Sequence, residues 1–315
     1  MRHLIVMLAL VIPFLSQGQN VSDAVRYSFM NPVGSARSTA VGNSLGALGA
    51  DWSSTFINPA GLSSYRESEF VFTPALTIQN IEARMEAPDG VASEESRTNF
   101  HIPAAGLVIV NRPEKSNWKT FNFAFGVNRM KNLHSDFRFE GTTEGSITDR
   151  FIELANGLTP EELETMRQFE SYPAYEALSI YTPNNGVDYD NDLSENALTT
   201  KYQRVQTDGA INEMVFSTAA NYKEKLQLGV SVGVPFISYT EEKRYEENDL
   251  TNDNLFREFI FEEELDASGV GVNVKFGAIY KLVHSLRIGF NFQRPTCYSF
   301  SESFTTTATY DYEYA

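Results

Sequence analysis

The sequence is poor in cysteine, in positive charge and in long apolar segments. Its single cysteine, Cys297, excludes an internal disulfide. Lys and Arg number 25 against 41 Asp and Glu, so the formal net charge is −16 at pH 7. Such a charge argues against nucleic acid and against anionic lipid surfaces as partners. No apolar stretch after the first fifteen residues approaches the length of a membrane-spanning helix, and the mean hydropathy is −0.29.

Residues 1–18 have the pattern of a secretory signal peptide. Met1 to His3 form a short basic start, and the residues from Leu4 to Leu15 are apolar. Small residues then precede a predicted cleavage point before Gln19. The apolar stretch is too short to span a bilayer, so the pattern predicts export rather than a helical anchor.

Aromatic residues, by contrast, are plentiful, and they alternate with polar or small ones. In residues 286–293 large apolar side chains occupy every second position, and Arg, Gly, Asn and Gln occupy the others. The same alternation recurs in Thr120–Asn128, Leu226–Phe236 and Gly269–Tyr280. Strands of about ten residues with one continuous apolar face are typical of an outer-membrane β-barrel whose apolar face contacts lipid. The pattern therefore predicts an all-β, antiparallel transmembrane barrel, and a secreted all-β protein is the alternative.

Seven strands are predicted, and the connections between them alternate between short and long. The strands are Ser68–Gln79, Thr98–Val110, Lys119–Phe139, Glu213–Tyr222, Leu226–Thr240, Phe256–Tyr280 and Ser285–Thr296. Short turns are predicted at 111–117, 223–225 and 281–284, and long connections at 80–97, 140–212 and 241–255. Outer-membrane barrels place short turns in the periplasm and long loops outside. The first strand is therefore predicted to run outward.

The large loop 140–212 is predicted to be partly helical. Thr159 is an N-cap, Pro160 suits the first helical position and Glu162 completes a capping box. A short helical pair is expected to share one apolar surface, formed by Ile152, Leu154, Leu158, Leu163 and Met166. A structured loop of this length either covers a binding site or shields the barrel mouth, and both interpretations remain open.

Residues 19–67, between the signal peptide and the barrel strands at 68–315, are predicted to form a plug. Gly42, Gly46 and Gly49 permit tight packing in a confined space. In the turn that follows, Asn58 is expected to make an Asx-type hydrogen bond and Gly61 to adopt a left-handed conformation. The residues at this turn are the candidate plug and ligand-pocket contacts: Phe56, Ile57, Asn58, Pro59, Ala60, Gly61 and Leu62.

The signal peptide is followed by a small-residue segment with Gly34-Ser-Ala-Arg37 and then by an Asn58-Pro59-Ala60-Gly61 turn. This order resembles that of the FadL/TodX/OmpP1 outer-membrane transporters. Their Bacteroidetes hemin-receptor-like branch is the most similar, as Ala47-Leu-Gly-Ala-Asp-Trp52 and Arg294-Pro295-Thr296 indicate. The resemblance implies a monomeric barrel of fourteen strands with an N-terminal hatch. It also implies passive uptake of hydrophobic small molecules, such as long-chain fatty acids or aromatic compounds, without catalysis or a cofactor. A scaffold or adaptor subunit of a Bacteroidetes secretion or surface machinery is the alternative function.

The strand count departs from that family. Seven strands, with an eighth expected to begin near Phe304, make about half of the fourteen that the resemblance implies. A half barrel would leave unpaired backbone edges in lipid, at a cost of several kcal/mol for each group. The sequence is therefore predicted to be the N-terminal portion of a longer protein. A complete eight-stranded barrel is the alternative, but its filled interior could not hold a hatch of this size.

Other chemical patterns are weak. Asp188, Asp190 and Asp192 have the alternate spacing of a calcium loop, but the central glycine and the final glutamate are missing, so a solvated acidic loop is the preferred interpretation. His134 and Asp136 have no nucleophile partner that spacing can assign. His101, His134 and His284 are the histidines that could ligate haem iron, but no pattern in the sequence pairs them. We predict no catalytic residue, no metal site and no cofactor.

Overall fold

The structure is a computed structural model that describes residues 21–30, 34–183, 186–194, 197–250, 255–283 and 285–312. The predicted signal peptide, residues 1–18, lies outside these residues. The chain divides into two units, with the boundary in the sequence after residue 32. In the first unit, helix α1 spans Val21–Ser28 and contains an ion pair of 2.6 Å between Arg26 and Asp23. The remaining elements belong to the second unit.

The described residues of the second unit form nine β-strands and several short helices. The strands are β1 Glu69–Ala83, β2 Ser93–Asn111, β3 Trp118–Asn132, β4 Ser135–Glu144, β5 Leu198–Tyr222, β6 Leu226–Asp249, β7 Phe256–Val283, β8 Leu286–Gln293 and β9 Cys297–Tyr312. The helices are α2 Ala36–Ala40, α3 Ser54–Ile57, the 3₁₀ helix Pro59–Ser64, α4 Ile147–Ala155, α5 Pro160–Met166 and α6 Ser171–Glu176. No helix in the described ranges is both long and apolar enough to cross a membrane.

All strands pair antiparallel in one sheet, in the order β1-β2-β3-β5-β6-β7-β8. β3 and β4 pair with successive parts of β5, and β8 and β9 pair with successive parts of β7. The nine strands therefore occupy seven positions in the sheet. The predicted eighth strand is present, but it begins at Cys297 rather than near Phe304 and is not an eighth position in the sheet. Phe304 lies within β9, where it pairs with Leu265 of β7, and it adds no further position to the sheet. No pairing among the described residues joins β1 to β8 or β9.

The strands extend past their predicted ends on the long-loop side. β5 begins at Leu198 rather than Glu213, and β6 ends at Asp249 rather than Thr240. The connections on this side therefore shrink to residues 84–92, 145–197 and 250–255. Charged and polar residues occupy both faces of these extensions, so the apolar alternation that marks the rest of each strand is missing there.

The two faces of the sheet are inverted relative to those of a water-soluble protein. Phe123 and Phe125 are 53% and 52% exposed, whereas the polar Asn122 and Asn128 on the other face are 0% and 1% exposed. The register continues this pattern from strand to strand. One row on the exposed side runs Leu107, Phe125, Phe216, Val232, and the adjacent row on the other side runs Gly106, Gly126, Val215, Gly233. We call these sides the apolar face and the covered face.

Two segments pack on the covered face. The N-terminal segment, residues 34–67, lies on the half that is nearer the short turns, as its contacts below demonstrate. Helices α4–α6 lie at the long-loop end, where Phe151 and Leu163 form a buried cluster with Phe256 and Phe259 of β7. The predicted capping box is confirmed in α5, but the prediction that Met166 belongs to the apolar surface is wrong, because its side chain is 63% exposed.

Candidate functional site: the N-terminal segment on the covered face

The N-terminal segment is held together by a buried carboxylate. Asp51 is 3% exposed and accepts hydrogen bonds from the Ser35 hydroxyl and the Ser53 backbone N–H, both at 2.8 Å. It also forms an ion pair with Arg37 at 3.0 Å. Burial would raise the pKa of Asp51, but these hydrogen bonds and the arginine charge outweigh burial and lower it. Because the ionised carboxylate is favoured, residues 35–37 stay tied to the turn before α3.

The predicted Asx-type turn is present at Asn58. Its Oδ1 accepts a hydrogen bond from the Ala60 N–H at 3.2 Å, and Pro59 opens the 3₁₀ helix. The Asn58 Nδ2 donates to the Gly46 carbonyl at 2.7 Å and, at 3.5 Å, to the Ala278 carbonyl on β7. One side chain thus caps its own turn, holds the preceding small-residue stretch and reaches the sheet.

Gly61 corrects one prediction. It does not adopt a left-handed conformation, whereas Gly49 does, with φ +70°. A Cβ at Gly61 would lie 2.7 Å from the Ser54 hydroxyl oxygen and 2.8 Å from the Gly49 Cα. Glycine is therefore required at position 61 by the close approach of two backbone segments rather than by a left-handed bend.

Trp52 anchors the segment to β2 and β3. Its indole is 1% exposed, and its Nε1 donates to the Asn128 Oδ1 at 2.6 Å. Asn128 in turn donates to the Thr55 hydroxyl at 3.0 Å. Gly106 and Gly126 lie beneath the ring, where an added Cβ would come within 2.1 and 2.7 Å of Trp52 Cη2. No local pattern predicts that Trp52 contacts the sheet, although alternating glycine and asparagine on the polar face of a strand indicate that another segment packs there.

Polar side chains of β3 satisfy the backbone of the 3₁₀ helix. Asn122 donates to the Leu62 carbonyl at 2.7 Å, and the Thr120 hydroxyl donates to the Ser63 carbonyl at 2.8 Å. Leu62 itself is fully buried in a cluster with Trp52 and its neighbours. Buried polar groups are costly unless they are paired, so these bonds specify one position for the segment on the sheet.

Strands β6, β7 and β8 also each provide a glycine where the segment passes. A Cβ at Gly229 of β6 would lie 2.3 Å from the Pro59 carbonyl carbon, and one at Gly277 of β7 would lie 2.0 Å from the Asn58 Oδ1. On β8, a Cβ at Gly289 would lie 2.5 Å from the Gly46 oxygen. The missing side chains of these glycines leave room on the covered face for the N-terminal segment.

The structure brings the seven candidate contact residues together at this interface. All are buried except Ile57, which is partly exposed. Phe56 is 8% exposed and Leu62 is 0% exposed. In this arrangement they pack the segment against the sheet, and a ligand would reach them only after the segment moves.

Comparison with known proteins adds no relative. No family model matches the chain, and no curated protein or solved structure matches it.

A buried ion pair lies farther toward the long-loop end. Lys275 of β7 and Glu213 of β5 are 1% and 0% exposed, with Nζ 2.7 Å from Oε2. The Asn273 amide donates to the other carboxylate oxygen at 2.7 Å. Removal of one partner from a buried pair typically costs about 3–5 kcal/mol, because the other charge is left uncompensated. The pair therefore fixes the relation of β5 to β7 on the covered face.

Next to the ion pair, an apolar row crosses the covered face. Ile211 of β5 pairs with Ile237 of β6, Ile237 with Gly269 of β7, and Gly269 with Phe300 of β9. The Phe300 ring covers Gly269, where an added Cβ would lie 2.8 Å from it. Along β6 this row lies between the residues that contact the N-terminal segment and Tyr245, which packs against the α4–α6 cluster.

A buried glutamate secures the loop helices at the long-loop end. Glu247 lies 11 residues past Phe236 on β6, beyond the apolar face. It accepts hydrogen bonds from the Ser146 hydroxyl at 2.5 Å and the Ile147 N–H at 3.2 Å, at the start of α4. Burial raises the pKa of Glu247, although the Ser146 hydrogen bond and the nearby Lys201 charge oppose the increase.

The acidic and histidine candidates do not converge. Asp192 accepts a hydrogen bond from the Tyr310 hydroxyl at 3.0 Å, and Asp190 joins a single β-bridge with Tyr181. In the part of the chain that the structure describes, no three His, Cys, Asp or Glu side chains are placed to hold a metal ion. Asp136 pairs with Arg204 at 2.7 Å, whereas the His134 Nδ1 accepts from the Gly209 N–H at 3.0 Å. His284 lies outside the described residues.

Proposed function

We propose that the sheet forms part of the wall of a β-barrel in a bacterial outer membrane, with the N-terminal segment as an internal plug. The inverted faces carry this proposal. Soluble proteins rarely expose contiguous apolar patches larger than a few hundred Å². Here apolar side chains are exposed on strand after strand, while asparagine, serine and an ion pair are buried on the other side. Lipid is the solvent that makes this arrangement favourable.

The dimensions of the apolar face support the same proposal. On β1 the exposed apolar residues run from Phe70 to Ile78. Eight steps of 3.3 Å extend about 26 Å along the strand, and the nine residues match the roughly 9–11 that a tilted transmembrane β-strand needs. Aromatic rings lie near the short-turn end, where Trp118 and Tyr222 are in edge contact with centroids 5.1 Å apart. Rings at this position match the aromatic girdle of such barrels.

We further propose that the barrel admits hydrophobic small molecules by passive uptake. The apolar row of Ile211, Ile237 and Phe300 supports this function, because it lies between the two segments that cover the face. A molecule that passed α4–α6 would meet this row before the plug. Displacement of the plug at the Asn58 turn would then open the way to the short-turn end.

A scaffold or adaptor role is the second candidate. It is favoured by the Glu213–Lys275 ion pair, which makes part of the covered face highly polar beside the plug. It is also favoured by the apolar side chains that the loop region exposes to water, since Met166 is 63% and Leu178 56% exposed. Exposed apolar residues on a loop can serve as protein contacts.

Cysteine labelling tests the membrane proposal. In a Cys297→Ser background, cysteines are placed at Phe123 on the apolar face and at Asn122 on the covered face of full-length protein in outer membranes. A membrane-impermeant maleimide should leave both unlabelled, and a lipid-soluble maleimide should label only the Phe123 position. Labelling of the Phe123 cysteine by the impermeant reagent would refute lipid contact.

Dye uptake tests the transport proposal. Cells that express Ile237→Asn should take up a hydrophobic naphthylamine dye more slowly than cells with the wild-type protein, and Ile237→Leu is the matched control. Outer-membrane amounts of the variants must be equal. Equal uptake by Ile237→Asn and wild type, at a rate no higher than that of cells without the protein, would favour the scaffold role.

A further inference from the structure

Positive charge is concentrated at the short-turn end of the sheet, although the whole chain has a net charge of −16. The turns and strand ends there contain eight Lys and Arg residues against four Glu residues. The basic residues are Arg66, Arg112, Lys115, Lys119, Lys223, Lys225, Lys281 and Arg287. This end of the sheet is therefore basic, although the chain as a whole is acidic.

Four of these basic residues line one cavity of about 270 Å³. The cavity lies between the N-terminal segment and the ends of β5 to β8, and Leu48 and Ser64 form its segment side. Arg66, Lys225 and Lys281 contribute cationic groups from three different parts of the chain, and Glu224 is the one carboxylate among the lining residues that the structure describes. Glu224 is already paired with Arg66 at 3.3 Å.

The two lysines of the cavity are held close together. The Lys281 backbone N–H donates to the Lys225 carbonyl at 2.8 Å, which fixes neighbouring turns side by side. Within the ranges that the structure describes, neither ammonium group has a hydrogen bond or an ion pair. Two like charges at one cavity repel each other unless an anion lies between or beside them.

A buried amide gives a second, independent indication of a ligand. Asn221 lines the cavity and is 3% exposed, and among the described residues its Oδ1 has no hydrogen-bond partner. A buried polar atom without a partner costs about 1–3 kcal/mol. An asparagine amide can present its NH₂ group as readily as its oxygen, so this position can donate to an anionic oxygen or accept from a protonated one.

We propose that this cavity binds a phosphate-bearing molecule. Lysine ammonium groups and the Arg287 guanidinium are the donors that phosphate oxygens prefer. The dianion would neutralise Lys225 and Lys281 and could satisfy Asn221. The cavity is larger than one phosphate ion, so it can also hold the group to which the phosphate is attached. The site does not depend on the transport or the scaffold role.

Calorimetric titration of the purified full-length protein in detergent tests the proposal with inorganic phosphate and with glycerol phosphate. We expect binding that weakens as ionic strength rises. The double variant Lys225→Gln/Lys281→Gln should bind at least about tenfold more weakly, equivalent to about 1.4 kcal/mol. The matched control, Lys115→Gln/Lys223→Gln, removes two lysines from the same end but outside the cavity and should stay within about twofold of wild type.

Lysine acylation of the wild-type protein provides a readout that does not depend on a variant. Phosphate should protect Lys225 and Lys281 from an amine-reactive reagent but leave Lys115 and Lys223 unprotected. Reconstitution into vesicles with and without phosphatidylglycerol identifies the source of the phosphate. Protection by soluble phosphates indicates a soluble ligand, and protection only in phosphatidylglycerol vesicles indicates a lipid headgroup. Equal acylation of the four lysines under every condition, or equal affinity of the double variant, would overturn the proposal.

Discussion

The substitution Gly106→Ala should release the N-terminal segment from the sheet without disturbing the sheet itself. A Cβ at this position would lie 2.1 Å from Trp52 Cη2, 2.5 Å from Cζ3 and 2.6 Å from Cζ2. Since carbon atoms pack at about 3.5 Å, the indole would have to move by about 1.4 Å. Such a displacement breaks its 2.6 Å hydrogen bond to Asn128.

Two contributions set the expected magnitude. Overpacking costs about 1–3 kcal/mol, and the buried Asn128 oxygen, left without its donor, costs about 1–3 kcal/mol. A sum near 3 kcal/mol lowers the ratio of docked to undocked segment by about two orders of magnitude. The loss should be confined to docking, because Trp52 belongs to the segment and Gly106 retains its backbone pairing with Gly126.

Tryptophan fluorescence measures this directly, since the chain contains two tryptophans. In a Trp118→Phe background the emission reports on Trp52 alone. Gly106→Ala should shift the emission to longer wavelength and increase quenching by acrylamide. The control, Ala105→Val, enlarges the neighbouring side chain on the apolar face and should change neither quantity. If Gly106→Ala retains the emission maximum and quenching of its parent, the indole does not lie over Gly106 and the described docking is wrong.

Three further outcomes are expected. Phe123→Arg should cost about 2–4 kcal/mol of folding stability in bilayers if the residue lies near the midplane, whereas Phe123→Leu should cost much less. Unfolding in urea measures the difference, and equal urea midpoints for the two variants would refute lipid contact. Deletion of Gln19–Trp52, or replacement of Asn58 and Pro59 by Gly, should leave membrane insertion intact but change permeability and dye uptake, and unchanged values in both variants would favour the scaffold role. Because the pKa of Glu247 is raised in the folded state, protonation of Glu247 contributes to folding stability at low pH. This contribution is lost as pH rises from about 4.5 through the raised pKa. Hydrogen exchange in α4, corrected for intrinsic rates, should therefore accelerate over that range, and Glu247→Gln should remove the dependence.

The sequence predicted the parts of the molecule in which a periodic signal and a local rule agree. The apolar cores of β3, β6 and β7 alternate strictly, and the structure places their apolar and polar residues on opposite faces as expected. The Asx-type bond of Asn58 and the capping box of Thr159 depend only on neighbouring residues, and both are present. The membrane location and the transport role remain predictions.

Features that depend on residues distant in the sequence could not be predicted from local patterns. The first fifteen residues of β5 carry polar side chains on both faces, so no alternation marked them as a strand. Gly61 was assigned a turn role because turns are the commonest local reason for glycine, but its actual neighbour is Gly49 across the segment. Trp52 meets Asn128, a residue 76 positions away, and no local pattern links the two.

The contacts of the N-terminal segment also constrain the order of folding. The segment is made before the strands, yet the Asn58 amide reaches the Ala278 carbonyl, 220 residues later, and Gly289 of β8 accommodates Gly46. Strand pairs that are close in sequence can form early, because the entropy lost in closing a loop grows with its length. Complete docking must therefore wait until β7 and β8 have joined the sheet. Seating of the segment thus reports that these late strands are in register, and a chain stalled before β7 would keep its own N-terminal residues accessible to proteases.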